Sequence, residues 1–182
     1  MAMERNMGRR RLSINTQRRI TIAQTENGVD FMPQHSAGIL LYRRTPSPAV
    51  LLVHPGGPYW ARRQVGAWQI PKGQVEPHEA VEDAARREVA EELGVAVVAP
   101  LAPLGTVRQA GGKSVSAFAA EQDVDTHAIT SMTFELEWPP RSGKRRSFPE
   151  VDAARWMPVA EARTMMLKSQ LPLLDRIAPL LG

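Results

Sequence analysis

The chain has 182 residues, of which 43% are hydrophobic, and this is ordinary for one globular domain with a substantial core. It contains no cysteine, which excludes disulfides, thiolate metal sites and cysteine nucleophiles and is compatible with the reducing cytoplasm, the location that we predict. No apolar run approaches the length of a membrane span, so we expect no membrane partner.

The net charge of +4 is unevenly distributed along the chain. Residues 1–31 hold six arginines and three acidic residues, so residues 32–182 carry a net charge of only +1. We expect no nucleic-acid partner for so neutral a body, apart from an RNA 5′ end. We interpret residues 1–31 as a basic, flexible extension without a catalytic role, with a candidate short strand at residues 20–22, and residues 32–182 as the domain. A transit peptide or an RNA-touching arm is the alternative for the extension.

Two β-prone apolar segments, residues 37–43 and 49–54, are separated by a turn-forming Pro-Ser-Pro run and predict adjacent strands. A loop with aromatic and basic residues then leads to residues 68–71, which we expect to be a short buried segment. A helix follows over roughly residues 79–93 and stops at Gly94, a residue type that favours helix C-termini.

The rest of the chain alternates between strand and helix patterns. Strands are predicted over residues 95–98, 104–108, 114–120, 132–138 and 155–157, a basic loop over 141–146, and helices over 159–167 and 171–181. Mixed strands with one central helix and a helical C-terminus indicate an α/β or α+β layered domain.

The predicted central helix carries acidic residues on the face that a helix normally buries. At 3.6 residues per turn, Ala84 and Ala85 lie on an apolar stripe. Glu88 and Glu92 continue this stripe, and Glu91 lies at its margin. Buried carboxylates repel one another and lose hydration unless a cation neutralises them, and oxygen ligands suit a hard ion such as Mg²⁺ or Mn²⁺. The alternative is a solvated acidic face, but the opposite side of the helix already supplies one.

The same segment resembles the Nudix box, Gly-x5-Glu-x7-Arg-Glu-U-x-Glu-Glu-x-Gly-U, in which U is aliphatic. The chain matches every fixed position: Gly73, Glu79, Arg87, Glu88, Val89, Glu91, Glu92, Gly94 and Val95. The resemblance implies a Nudix-type α/β/α sandwich with a mixed sheet and a loop–helix–loop box. It also implies a hydrolase that uses divalent metal to cleave a diphosphate linkage in a nucleoside diphosphate joined to another group.

We expect Glu88 and Glu92 to be the principal metal ligands, with Glu91 joining or bridging, and we expect Glu92 and Glu91 to be catalytic residues as well. By the resemblance, the backbone carbonyl of Gly73 adds a further oxygen ligand. The matching arginine of the family orients a carboxylate, which is the role implied for Arg87.

Two acidic residues complete the predicted site. Glu79 is the expected partner of Arg87 or a carboxylate behind the ligands, and a favourable charge at the helix start is its alternative role. Glu150 stands six residues before Trp156, as an acidic residue does in some Nudix enzymes. It is a candidate further ligand or water-activating base, and otherwise a solvated loop acid.

Substrate binding is predicted at Lys72, because the Pro-Lys-Gly entry to the box resembles that of diadenosine polyphosphate hydrolases. A surface lysine on a turn is the alternative. Arg145 is a second candidate within the basic run 141–146, although such runs are usually solvated. The candidates for stacking on a base are Tyr59, Trp60 and Trp68, whose default role is packing.

Three functional hypotheses follow. The first is a pyrophosphohydrolase that acts on dinucleoside polyphosphates, nucleoside triphosphates or related compounds. The second is a non-catalytic nucleotide- or RNA-binding Nudix module, and the third is a purely structural domain. The intact box favours the enzyme, while the specific substrate, the phosphorus attacked and the oligomeric state stay open.

Overall fold

A computed structural model of the protein describes residues 34–182. The predicted extension and the candidate strand at residues 20–22 lie outside the described residues. The elements are β1 (His35–Arg43), β2 (Ala49–Pro55), β3 (Lys72–Gln74), α1 (Val81–Leu93), β4 (Ala102–Arg108), β5 (Ser114–Glu121), β6 (Thr133–Glu137), β7 (Arg145–Pro149), β8 (Val151–Met157), α2 (Val159–Met165) and α3 (Pro172–Leu181).

Six strands form one mixed sheet. Its order is β4-β5-β1-β2-β8, and β3 pairs separately with β1. Strand β1 is parallel to β5 and antiparallel to β2 and β3, so it lies at the centre of the domain. This position explains why β1 is apolar at nearly every residue, since both faces of a central strand are covered.

The two faces of the sheet bury two separate cores. Ile39 and Leu41 point to the face covered by α1, where they pack with Val89 and Leu93. The alternate residues of β1, such as Leu40, point to the opposite face with residues of α2 and α3. The predicted layered sandwich, a mixed sheet between helices, is confirmed. Within residues 34–182, every helix is too short or too polar to cross a lipid bilayer.

One predicted strand is wrong. Residues 95–98 form no strand, because side chains bind the backbone groups that a neighbouring strand would otherwise pair. The Gln122 amide accepts from Val98 N–H at 3.0 Å and donates to Ala96 O at 2.9 Å, and the Arg86 guanidinium donates to Val97 O. Four β-compatible residues alone do not reveal such partners.

The basic run also differs from its prediction. Only residues 139–144 form the turn, and Arg145 already begins β7, which pairs with β6 as a separate two-stranded hairpin. Glu137 lies opposite Arg145 in this register. Strand β8 is longer than predicted, beginning at Val151, because it pairs along the whole of β2.

Candidate active site

Strand β3 and helix α1 bring the fixed residues of the box to one place. Residues Lys72–Gln74 pair with β1, while α1 packs against the same strand from one face of the sheet. The helix ends at Gly94, which has a φ of 69° and donates its N–H to Ala90 O, the left-handed end that glycine permits.

Two carboxyl groups on α1 are buried. The residue Glu88 is 1% exposed and Glu92 is 8% exposed, which confirms that they lie on the core-facing stripe. The carboxylate of Glu88 packs against Gly73 so closely that a Cβ at residue 73 would overlap it. Glycine is therefore required at this position by the approach of a charged group, and not by its own backbone torsion.

The second carboxyl group contacts the entry of the box. Glu92 Oε2 accepts a hydrogen bond from Lys72 N–H at 3.0 Å. Burial raises the pKa of Glu92 to about 8, although the charge and the N–H of Lys72 act in the opposite direction. Burial also lowers the pKa of the Lys72 ammonium group, against the opposing effect of Glu92 and Glu88. Burial thus disfavours the charged form of both groups.

Arg87 connects the remaining acidic residues. Its guanidinium donates to both oxygens of Glu79 at 2.8 Å, to Glu88 Oε1 at 2.8 Å and to Glu91 Oε2 at 3.4 Å. A further bond of 2.9 Å goes to Gln74 O, so Arg87 also fixes the end of β3. The paired guanidinium lowers the pKa of Glu79 to about 2.

Glu150 comes to this cluster from a distant part of the sequence. It lies half-buried between β7 and β8, and it acts electrostatically on both Lys72 and Glu92. Its backbone is fixed on both sides, since Gly56 N–H donates to Glu150 O at 2.9 Å and Glu150 N–H donates to Met132 O at 2.8 Å.

The donor atoms of the cluster are all oxygens. Two buried carboxyl groups, the Gly73 backbone and a half-exposed Glu91 fit Mg²⁺ or Mn²⁺ and not a thiophilic metal. As the side chains are placed, no three His, Asp or Glu residues within 34–182 form a ready-made ligand cluster. The Arg87 guanidinium binds oxygens of Glu88 and Glu91 instead, and the Lys72 backbone N–H binds Glu92.

A shallow groove of about 480 Å³ adjoins these carboxylates. One side of it is α1, and the other is the segment that leads to β6. It is lined by Arg87, Ala90, Glu91, Gly94, Thr130, Ser131 and Met132. Glu91 thus stands where a ligand in this groove would meet the acidic cluster.

The substrate-binding candidates lie in different places. Lys72 is half-buried beside Glu92, whereas Arg145 lies on the exposed β6–β7 hairpin and pairs with Glu135 at 3.2 Å. Of the aromatic candidates, Trp68 is 4% exposed and belongs to the core, while Tyr59 is 63% exposed.

Sequence reasoning missed two supporting residues. Gln170 is fully buried, and its Oε1 accepts from Ile70 N–H at 3.0 Å, which fixes the segment before β3. His54 is 2% exposed, and its ring nitrogens contact Asp152 Oδ1 at 2.7 Å and Arg63 O at 2.6 Å. For His54, the one sequence signal of a buried role was a polar residue within an apolar strand. For Gln170 there was no such signal, because its partner Ile70 lies 100 residues away in the sequence.

Comparisons with known proteins agree with this fold. The family model described as NUDIX domain matches residues 32–177. The structure of a C. elegans Ap4A hydrolase binary complex superposes with a TM-score of 0.59 and 21% identity, over 80% of this chain and 97% of that chain. The NUDIX domain of Shewanella oneidensis NrtR complexed with ADP ribose gives a TM-score of 0.59 and 20% identity, over 83% and 90%. At such identities the likeness concerns the fold alone.

A curated relative shares a shorter but more similar segment. The RNA pyrophosphohydrolase of Caulobacter vibrioides is 48% identical over 58 residues, which are 29% of this chain. The match spans only about a third of the relative's own length, 34%.

Proposed function

The chain belongs to the Nudix family of hydrolases, and on this premise we propose that it is a divalent-metal-dependent pyrophosphohydrolase of nucleotide-type substrates. The observation that carries the proposal is the pair of buried carboxyl groups on α1: Glu88 packs against the Gly73 backbone, and Glu92 accepts from Lys72 N–H. Burying two like charges side by side is unfavourable unless a cation joins them. A structural domain gains nothing from this arrangement.

Glu88, Glu92, Glu91 and the Gly73 carbonyl are the proposed ligands. When a divalent ion is bound, it supplies charge neutralisation for the phosphates and a more acidic water. Arg87 acts through other residues, because its hydrogen bonds to Glu79 and Glu88 hold the Glu88 carboxylate in place. Catalysis of this kind depends on positioning, so a fixed carboxylate is worth more than a mobile one.

Glu150 is the proposed base that takes a proton from the attacking water. Its electrostatic interaction with Lys72 and Glu92 supports this role, as does the backbone that holds it on both sides. Lys72 is proposed to face a phosphate of the substrate, since its ammonium group interacts electrostatically with both buried carboxyl groups. The exposed Arg145 is proposed as a more distant phosphate contact.

The substrate is proposed to carry a polyphosphate chain. The Pro71-Lys72-Gly73 entry supports a dinucleoside polyphosphate, and the local similarity to an RNA pyrophosphohydrolase supports a triphosphorylated RNA 5′ end. A nucleoside triphosphate is the third candidate. Mg²⁺ or Mn²⁺ as the metal and the cytoplasm as the location stay predictions.

A substrate panel tests the proposal. The protein is incubated with Mg²⁺ in ¹⁸O-labelled water and one of three kinds of substrate: diadenosine tetraphosphate, each of the four nucleoside triphosphates, or a 5′-triphosphorylated RNA 12-mer. The products are separated by chromatography and identified by mass spectrometry. We expect anhydride cleavage with ¹⁸O in one phosphate product. ATP with AMP from the dinucleotide identifies the first substrate class, and diphosphate from RNA identifies the second.

The Glu92→Gln variant is the matched control in this panel. It must remain folded and lose turnover. Full activity of the folded variant, or no cleavage of any anhydride by the wild-type protein in Mg²⁺ or Mn²⁺, would contradict the proposed function. Retained nucleotide binding without cleavage would support the non-catalytic binding module instead.

A further inference from the structure

The loop after β2 and the β6–β7 hairpin share an exposed surface, which we call the platform. It consists of an aromatic pair and the exposed cations of the same two segments: Tyr59, Trp138, Arg62, Arg63, Arg141, Lys144 and Arg146. The rings of Tyr59 and Trp138 meet edge to face, with centroids 5.3 Å apart and planes at 83°. Trp138 thereby supports Tyr59 from one side, while Tyr59 is 63% exposed and offers its ring to solvent. A supported, exposed ring is the arrangement on which a nucleobase stacks.

The platform is continuous with the candidate active site. Gly56 packs on Pro149 so closely that a Cβ would overlap the Pro149 carbonyl, and Gly56 N–H binds Glu150 O. Three residues further along the loop, Tyr59 reaches Trp138 near the other end of the hairpin. The loop therefore lies along the hairpin, from Glu150 at its base to the aromatic pair near its turn.

The length of the hairpin sets the size of a ligand that uses both ends. Pro149 pairs with Thr133 at the base, and about five strand residues separate Thr133 from Trp138, on the order of 16 Å. A nucleotide with a single phosphate at Glu150 is shorter than this span. A dinucleoside polyphosphate or a chain of nucleotides is long enough to use both ends.

The charges on the platform match a chain of nucleotides. The loop of residues 56–66 holds two arginines and no acidic residue, and the hairpin of residues 133–149 holds four cations and two glutamates. These two segments have a combined charge of +4, although residues 32–182 as a whole have +1. Positive charge is thus concentrated on the platform, away from the proposed metal site. It complements the negative charge of a phosphodiester backbone.

We propose that the platform binds a single-stranded polynucleotide downstream of its 5′ terminus, with one base on Tyr59 and phosphates on the hairpin cations. This inference rests on the proposed function, because the 5′ polyphosphate of the same strand would then lie at Glu88, Glu92 and Glu150. It assigns to this chain a substrate class longer than a free nucleotide.

Binding is measured without turnover, by fluorescence anisotropy of a 5′-monophosphorylated, 3′-labelled RNA 12-mer. We expect Tyr59→Ala to raise the Kd about tenfold, the loss of roughly one stacked base, and Tyr59→Phe to restore the wild-type value because it keeps the ring. Val65→Ala is the matched control, since Val65 lies in the same loop and is 66% exposed. Changing Arg141 and Lys144 to Gln should flatten the dependence of log Kd on log salt by roughly 0.7 for each phosphate that is no longer bound.

Kinetics give a second, independent readout. Tyr59→Ala should raise the KM for a 5′-triphosphorylated 12-mer about tenfold more than the KM for GTP or diadenosine tetraphosphate. Equal increases for all three substrates would overturn the proposal, and so would an unchanged Kd for the 12-mer in Tyr59→Ala. The proposal would also be overturned if the wild-type Kd for the 12-mer were no lower than the wild-type Kd for GMP. If RNA binds through Tyr59 but no anhydride is cleaved, the proposed function fails and the platform stands.

Discussion

Arg87 donates two hydrogen bonds of 2.8 Å to the two carboxylate oxygens of Glu79, a bidentate pair that spans the start of α1. The same guanidinium binds Glu88, so Glu79 orients the cation that orients a proposed metal ligand. Glu79 also accepts from Glu76 N–H at 3.0 Å, which fixes the loop before the helix. The spacing of these residues thus has a mechanical reason: the Arg87 guanidinium binds the carboxylates of Glu79, Glu88 and Glu91.

The Glu79–Arg87 pair predicts a pH dependence of stability. The pKa of Glu79 is lowered to about 2 in the folded protein, against 4.5 as its ordinary value. A lowered folded-state pKa stabilises the protein above pH 4.5, and this stability is lost as the pH falls through about 2. We expect urea unfolding from pH 6 to pH 2.5 to show a shallower decline in Glu79→Gln than in the wild-type protein. Asp83→Asn, on the exposed side of α1, should keep the wild-type slope, and parallel wild-type and Glu79→Gln profiles would contradict the pairing.

Glu92→Gln separates the catalytic from the structural role of a buried carboxyl group. We expect turnover to fall by more than about a hundredfold, because a metal ligand supplies several kcal/mol of transition-state stabilisation. When a chelator removes divalent metal, the variant should unfold at the same or a higher urea concentration than the wild-type protein. The reason is that a neutral amide is easier to bury than a carboxylate.

Metal titration completes this test. Mn²⁺ should raise the melting temperature of the wild-type protein by mass action and leave Glu92→Gln unchanged. Glu82→Gln is the matched control, because Glu82 lies on the exposed face of the same helix. A wild-type melting temperature that does not respond to Mg²⁺ or Mn²⁺ would rule out the proposed ligands.

Gly73→Ala tests the close approach of β3 to Glu88. The backbone of Gly73 does not adopt a positive φ, so alanine is compatible with its torsion angles, but the added methyl group would overlap the Glu88 carboxylate. We expect a folded protein with at least tenfold weaker Mn²⁺ binding, measured by the same thermal shift. Groups that orient a metal ligand contribute about this factor to metal affinity. Gln74→Ala, at the exposed neighbouring position, should bind Mn²⁺ as the wild-type protein does. Unchanged affinity in Gly73→Ala would show that the carboxylate moves without loss.

His54 predicts a purely structural effect. Both of its partners are hydrogen-bond acceptors, so both bonds form together only when the ring carries a proton on each nitrogen. Replacing it with Leu leaves the Arg63 carbonyl and the Asp152 carboxylate without this donor, and we expect a loss of about 1–3 kcal/mol in the free energy of unfolding. The exposed His127→Leu should change stability little. Equal effects of the two substitutions would show that the His54 bonds are dispensable.

Periodicity predicted most elements because their patterns are local. The alternation in β1 and the stripe on α1 each reflect burial of one face, which a short window of sequence records. Residues 95–98 show the limit of this approach. Their β-compatible composition does not indicate that Gln122 and Arg86 take the place of a neighbouring strand.

The sequence by itself determined the family, the helix with its buried Glu88 and Glu92, and the pairing of Arg87 with its neighbours, because these contacts lie within one loop and one helix. Only the tertiary structure decided which distant residues come together: Glu150 interacts electrostatically with Glu92, Gln170 binds Ile70 N–H and His54 contacts Asp152, across 58 to 100 residues of chain. It also decided that Tyr59 faces solvent while Trp68 is buried. Local spacing encodes a helix face, but the approach of distant segments depends on how the whole sheet is ordered and packed.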